Sequence, residues 1–160
     1  MSTTTVRRLA GAGLTAAALA LSACGGSGDD DKKFIDASNK VTSEISSIGT
    51  DIGSTVQGAA QQTDAQLQKQ FTDLADRTGK AVTQLDDLDA PNDDIGKTVD
   101  SLSASLTKAQ KDLENIATAA GASDANGAKT ATEALVKDSP AVSAGNKKLK
   151  TETAALDKDS

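Results

Sequence analysis

The sequence predicts an all-α fold: an up-and-down antiparallel helical bundle of three strong helices and one weaker, Pro-kinked C-terminal helix. Three observations carry this expectation. From Phe34 onward the apolar residues recur at alternating steps of four and three, which marks one seam along a helix, whereas a half-buried strand would alternate every second residue. The breaks between the periodic stretches are short and rich in turn and capping residues. Short links make successive helices antiparallel neighbours.

The chain has 160 residues, and its first segment reads as an address rather than as part of the fold. Arg7 and Arg8 precede an apolar, Ala-rich run of about a dozen residues, the layout of a secretory signal. That run is too short to make a good membrane span. Residues 1–23 are therefore expected to be a cleaved signal peptide. The run ends in Leu21-Ser22-Ala23-Cys24, and Cys24 is the single cysteine of the chain. With no second Cys, an intrachain disulfide is ruled out despite export.

Leu21, Ser22, Ala23 and Cys24 resemble the lipobox of bacterial lipoproteins, an aliphatic residue and two small ones before the cysteine. Together with Arg7-Arg8, the Ala-rich run and the polar stretch that follows, they make the chain similar to small Ala- and Thr/Ser-rich lipoproteins of high-GC, actinobacteria-type bacteria. The resemblance implies that Cys24 carries a diacylglyceryl group and becomes the first residue of the mature protein. It also implies attachment to the outer, extracytoplasmic face of the cell membrane. One acyl chain binds only marginally, at about 0.8 kcal/mol per buried methylene, while two or three hold firmly. Beyond this motif the likeness is compositional, and it supplies no catalytic residues.

Residues 24–33 are expected to be the lipidated cysteine and a flexible tether. The stretch after Cys24, through Asp29-Asp30-Asp31-Lys32-Lys33, has no apolar side chain. Nine such residues would reach about 15–18 Å as a flexible coil. The aspartates also suit the positive end of a helix dipole just before Phe34.

The bundle is expected over residues 34–160. Phe34, Val41, Ile45, Ile48 and Ile52 fall on the seam of a first helix, roughly 31–61. Leu67, Phe71, Leu74, Ala81, Leu85 and Leu88 line a second, roughly 64–89, with Thr63 or Asp64 as its N-cap. Pro91 ends it, because the residue before a proline avoids the helical region, and Asn92 can cap the third helix, roughly 92–120. That helix carries Ile95, Val99, Leu102, Leu106, Leu113 and Ile116. Residues 121–127 read as a loop by composition.

The fourth helix, about 128–157, has one large apolar residue per heptad: Leu135, Val142, Leu149 and Leu156, after Ala128. Its second seam is polar or small, read either as Asp138, Gly145 and Glu152 or as Ser139, Asn146 and Thr153. Pro140 lies inside it and is expected to kink or split it. This helix is expected to be the loosest element. Only about 24 large aliphatic or Phe side chains fall within residues 24–160, so the core is thin.

Composition excludes several functions. Histidine, Trp and Tyr are absent and the net charge is −6. Metal clusters of His and Cys, His-dependent nucleophile pairs and His-ligated haem are therefore ruled out. Acidity and the lack of aromatics argue against nucleic acid as a partner. No cofactor is expected, and the chain is not expected to be an enzyme. No Gly-Lys-Ser/Thr follows the Gly49–Gly53 stretch, so it is no phosphate loop.

The densest polar feature is the turn holding Asp86, Asp87, Asp89, Asp93 and Asp94. Hard cations want six to eight oxygens, and such a turn offers several. Asp86 and Asp87 stand at a helix C-terminus, where the dipole disfavours them, which is the one hint of a cation. The EF-hand spacing fails, with Asn92 at its sixth position and Thr98 at its twelfth. Capping and solubility are the simpler account of these residues.

The expected function is that of a membrane-anchored structural or interaction module at the cell envelope. Its expected partners are the membrane, through Cys24, and an envelope protein or the cell wall. The alternative is a small-ligand or divalent-cation-binding lipoprotein. A monomer is favoured over a coiled-coil oligomer, because short links favour packing within one chain.

Overall fold

The structure, a computed structural model, describes residues 27–159. The expected signal peptide, the lipobox and Cys24 lie outside the described residues. Four long helices make up the body: α1 (Ser27–Gly58), α2 (Asp64–Asp86), α3 (Asp93–Gly121) and α4 (Ala125–Asp159). A single 3₁₀ turn, Ala59–Gln61, follows α1. α1 packs on α2 and α4, and α3 packs on the same two from the opposite corner. The fold is an all-α up-and-down four-helix bundle, with the core where the four seams meet.

Helix boundaries follow local chemistry. Thr63 caps α2 in a reciprocal box: its Oγ1 accepts from Gln66 N at 3.3 Å, and its own N–H donates to Gln66 Oε1 at 2.9 Å. Asn92 Oδ1 caps α3 by accepting from Ile95 N at 3.0 Å. α3 ends in a left-handed residue, Ser123, with φ 54°, and Asp124 N–H returns to Ala119 O at 2.8 Å. Asp124 Oδ1 then accepts from Gly127 N at 3.0 Å, so α4 starts at Ala125, three residues before the expected boundary. α1 also begins early, at Ser27, so residues 27–33 of the expected tether are helical and Asp29 and Asp30 sit in the first turn.

The seams fill as their spacing predicts through the middle of the chain. Leu85, Leu102 and Leu113 are completely buried, with Val41, Ile45, Phe71, Leu74 and Leu106 around them. Phe34 is buried at the end of the bundle where α1 begins, beside Leu88 of the α2–α3 turn.

α4 is one helix rather than two. It runs unbroken through Pro140. Proline removes the hydrogen bond to the carbonyl of Val136 and crowds it. Pro140 and Val136 both face solvent, Val136 being 66% exposed, so water can serve the freed carbonyl. α4 also lies closely along α3, because Gly145 brings its backbone against Leu102: a Cβ on Gly145 would come within 3.2 Å of Leu102 Cδ1. The small residue that thins the apolar seam is what allows the close approach.

Candidate functional site

The α1–α4 seam holds the features that the sequence left unexplained. At the end of the bundle where α1 begins, this seam is polar and closed. Ser38 and Thr153, 0% and 1% exposed, share a hydrogen bond of 2.8 Å between their hydroxyls. One heptad nearer the middle, Asn146 is 8% exposed. Its Nδ2 donates to the Thr42 carbonyl at 3.2 Å and to Ser46 Oγ at 3.1 Å. Ser46 Oγ donates onward to Thr42 O at 2.9 Å and accepts from Lys150 Nζ at 2.9 Å.

This network fixes which way the Asn146 amide points. Thr42 O can only accept, so the amide nitrogen must face it; a flipped side chain would set two acceptors against each other. Asn146 Oδ1 is then buried with no hydrogen-bond partner. A buried acceptor left unpaired costs about 1–3 kcal/mol, so its position asks for an explanation.

Beyond Ile48 the seam opens. No residue of α1 from 49 to 58 is buried, and Val56 is 40% exposed. Between this half of α1 and the middle of α4 lies a cleft of about 410 Å³. Ile45, Ile48, Ile52, Leu106, Leu135 and Val142 supply its apolar lining. Gly49, Ser46, Thr50, Ser139, Ser143 and Asn146 add small or polar groups to the lining. No charged side chain lines it. Its volume falls in the lower part of the range of small-molecule sites, about 300–1,000 Å³.

Hydroxyls along α1 bond back to its own backbone. Ser46, Thr50 and Ser54 each donate to the carbonyl four residues back, at 2.9, 3.1 and 3.0 Å. Such bonds compete with the helix's own ladder and favour bending. Gly49 and Gly53 add backbone freedom, and a Cβ on either would meet nothing within 4 Å.

The five aspartates of the α2–α3 turn do not form a centre. Asp86 Oδ1 accepts from Ser103 Oγ at 2.6 Å, and Asp87 is the C-cap of α2. Asp87 and Asp89 border the start of α1 near Phe34. Asp93 and Asp94 fill the first turn of α3, and Asp94 pairs with Lys97 at 3.1 Å on the surface. Among the described residues no group of three or more His, Cys, Asp or Glu is arranged to hold a metal ion.

Two charged groupings were not foreseen. Arg77 of α2 reaches α1, donating to Glu44 at 3.0 Å, Asp51 at 2.6 Å and Ser47 at 3.2 Å. Asp51 first, then Glu44, holds the guanidinium above its usual pKa. All three charged groups are at least a third exposed, so the clamp aligns α1 on α2 more than it stabilises it. On α3, burial and then the charge of Asp138 raise the pKa of Asp112 against the opposing effect of Lys111.

The fold and the cleft together define a four-helix bundle with one side opened between its first and last helices. No family model matches the chain, and neither a curated protein nor a solved structure gives a match. Among the described residues no helix is long and apolar enough to cross a membrane.

The sequence signal for Asn146 was visible as a polar residue on a seam position. Its partners on α1 lie 100 or more positions away, and only the register of α1 against α4 reveals them.

Proposed function

We propose that this chain is a lipid-anchored binding module on the outer face of the cell membrane, a four-helix rod that docks an envelope protein or the wall and performs no chemistry. One observation carries the reading: the single cysteine of the chain stands at the end of Leu21-Ser22-Ala23-Cys24, directly after an export-type apolar run. The fold supports it by supplying a self-contained body just downstream.

Three residue-to-residue steps, through Gly25 and Gly26, lead from Cys24 to Ser27, where α1 begins. Even fully extended they span only about 11 Å. In this reading the rod therefore stands close to the bilayer, with the start of α1, the acidic α2–α3 turn and the end of α4 nearest the lipid. The other end, holding the Ala59–Gln61 turn and Ser123, lies about 48 Å away, the rise of a 32-residue helix. Partners on the wall side would meet that end and the flanks of the rod.

Mass spectrometry and membrane fractionation of the expressed full chain test the anchor. The wild type should carry acyl mass on a peptide beginning at Cys24 and sediment with membranes. Cys24→Ala should lose both. An unacylated wild type, or a Cys24→Ala protein that stays in the membrane fraction, overturns the reading.

A further inference from the structure

We propose that the α1–α4 cleft seats a single-chain anionic amphiphile, with its alkyl chain against the apolar lining and its carboxylate or phosphate head at Lys150 and Lys147. The inference goes beyond the anchored-module reading and holds whether or not Cys24 is acylated.

The lining of Ile45, Ile48, Ile52, Leu106, Leu135 and Val142 suits hydrocarbon, and the cations beside it decide the head group. Ser46 belongs to the lining, and Lys150 Nζ donates to Ser46 Oγ at 2.9 Å, which puts this ammonium at the edge of the cleft. An ammonium has three donors, and that bond uses one. Ser143 also belongs to the lining, and Lys147 is its neighbour one turn along the same face of α4. Lys147 and Lys150 border a common hollow on the surface of α4. Both side chains are exposed, so a head group there keeps much of its hydration while the alkyl chain loses its own.

The acids of this region leave the two lysines available. The protein carries a net charge of −6, yet α4 has no Asp or Glu from Ser139 to Thr151. Across the seam, Glu44 and Asp51 of α1 both bind Arg77 of α2. Glu152 accepts from Thr98 of α3 and lies 3.6 Å from Lys148. Asp157 stands two turns beyond Lys150. An anion at Lys147 and Lys150 therefore meets two cations that no internal carboxylate pairs with, whereas a cationic head would be repelled.

The axis of the cleft agrees with this placement. Its α4 wall runs from Asn146, one turn from Lys150, back to Leu135, a helix rise of about 16 Å. An alkyl chain whose head sits at Lys150 extends along that wall.

The test is a ¹H–¹⁵N NMR titration of the full chain carrying Cys24→Ala, which removes any acyl chain as a competitor. The probes are octanoate, octyl phosphate, 1-octanol and octylammonium, all at millimolar concentration and below micelle formation. Octanoate should shift amides of residues 45–52 and 135–146 through its chain and of 147–151 through its head, and leave the α2–α3 turn unmoved. Octanol, with the same chain and no charge, should bind about tenfold more weakly, the loss of a charge-assisted bond, and octylammonium more weakly still. The comparison of octanoate with octyl phosphate distinguishes a fatty acid from a phospholipid-derived chain, and tighter binding of either over octanol supports the proposal.

Lys147→Gln combined with Lys150→Gln should bring octanoate down to the affinity of octanol and leave octanol itself unchanged, which shows in the same variant that the cleft is intact. Replacing both lysines by glutamate should reverse the preference, so that octylammonium binds better than octanoate. Absence of cleft shifts with octanoate, equal affinity for octanoate and octanol, or undiminished octanoate binding by the glutamine variant would each overturn the proposal. So would shifts confined to residues 147–158, which would mark a head-group contact with no seat for the chain, and cleft shifts that depend on protein concentration without probe, which would assign the cleft to a second copy of the chain.

Discussion

The two ends of the α1–α4 seam solve the same problem with different means. Towards the start of α1, Ser38, Thr42 and Ser46 meet Thr153 and Asn146 through buried hydrogen bonds, with Leu149 fully buried among them. Towards the other end, Ile48, Ile52, Leu135 and Val142 are more apolar, yet the helices stand apart around a cleft. The buried polar pairs lie on the closed side. Apolar attraction has no direction and tolerates a gap, whereas a buried hydroxyl or amide must meet its partner at hydrogen-bond distance. In a bundle with a thin core, the polar pairs set the register of α4 on α1.

The largest effect should come from the closed end. Leu149→Ala removes a completely buried side chain and should lower stability by about 2–5 kcal/mol. Val136→Ala, on the same helix but 66% exposed, should change it by less than about 0.5 kcal/mol. Urea denaturation followed by circular dichroism measures both. Comparable losses at the two positions would erase the distinction between the ends of α4.

A smaller loss is expected where α4 meets α3. Gly145→Leu must fit a side chain against Leu102, already within 3.2 Å of an added Cβ. Overpacking of this kind costs about 1–3 kcal/mol. It exceeds the gain in helix propensity, so the melting temperature should fall, whereas Gly49→Ala at the open end, whose Cβ meets nothing within 4 Å, should raise it. A rise at both positions would mean that the approach of α4 to α3 is not tight.

The smallest effect concerns pH. Burial and Asp138 raise the pKa of Asp112, so the folded protein holds its proton more strongly than the unfolded chain does. Stability from this group is present at low pH and is lost as pH rises through the carboxylate range. Asp112→Asn should therefore stabilise the protein slightly at neutral pH and make no difference at acid pH. Thermal melts at pH 3.5 and 7 would show it; a variant less stable at pH 7 would reverse the sign.

Some elements were legible in the chain itself because they rest on local chemistry. Thr63 with Gln66, Asn92, and Pro91 between two periodic stretches bound α2 and the start of α3 within a few positions of each other in sequence. The single seams of α2 and α3 were equally plain, since a helix buries one face and large residues mark it. The boundaries that shifted did so for local reasons too slight to rank beforehand, such as the cap that Asp124 provides for α4.

Fold class, helix order and an antiparallel arrangement thus follow from the sequence by itself, because periodicity and capping act over a few residues. The tertiary structure alone decided how α4 docks. Its scarcity of large apolar residues is plain in the chain, but the approach of Gly145 to Leu102 and the bond from Asn146 to Thr42 exist only once the helices lie side by side. The cleft is likewise a property of two helices together. Gly49 on α1 and Ser139 and Ser143 on α4 are small residues far apart in the chain, and they leave space only because the register of the bundle sets them opposite one another.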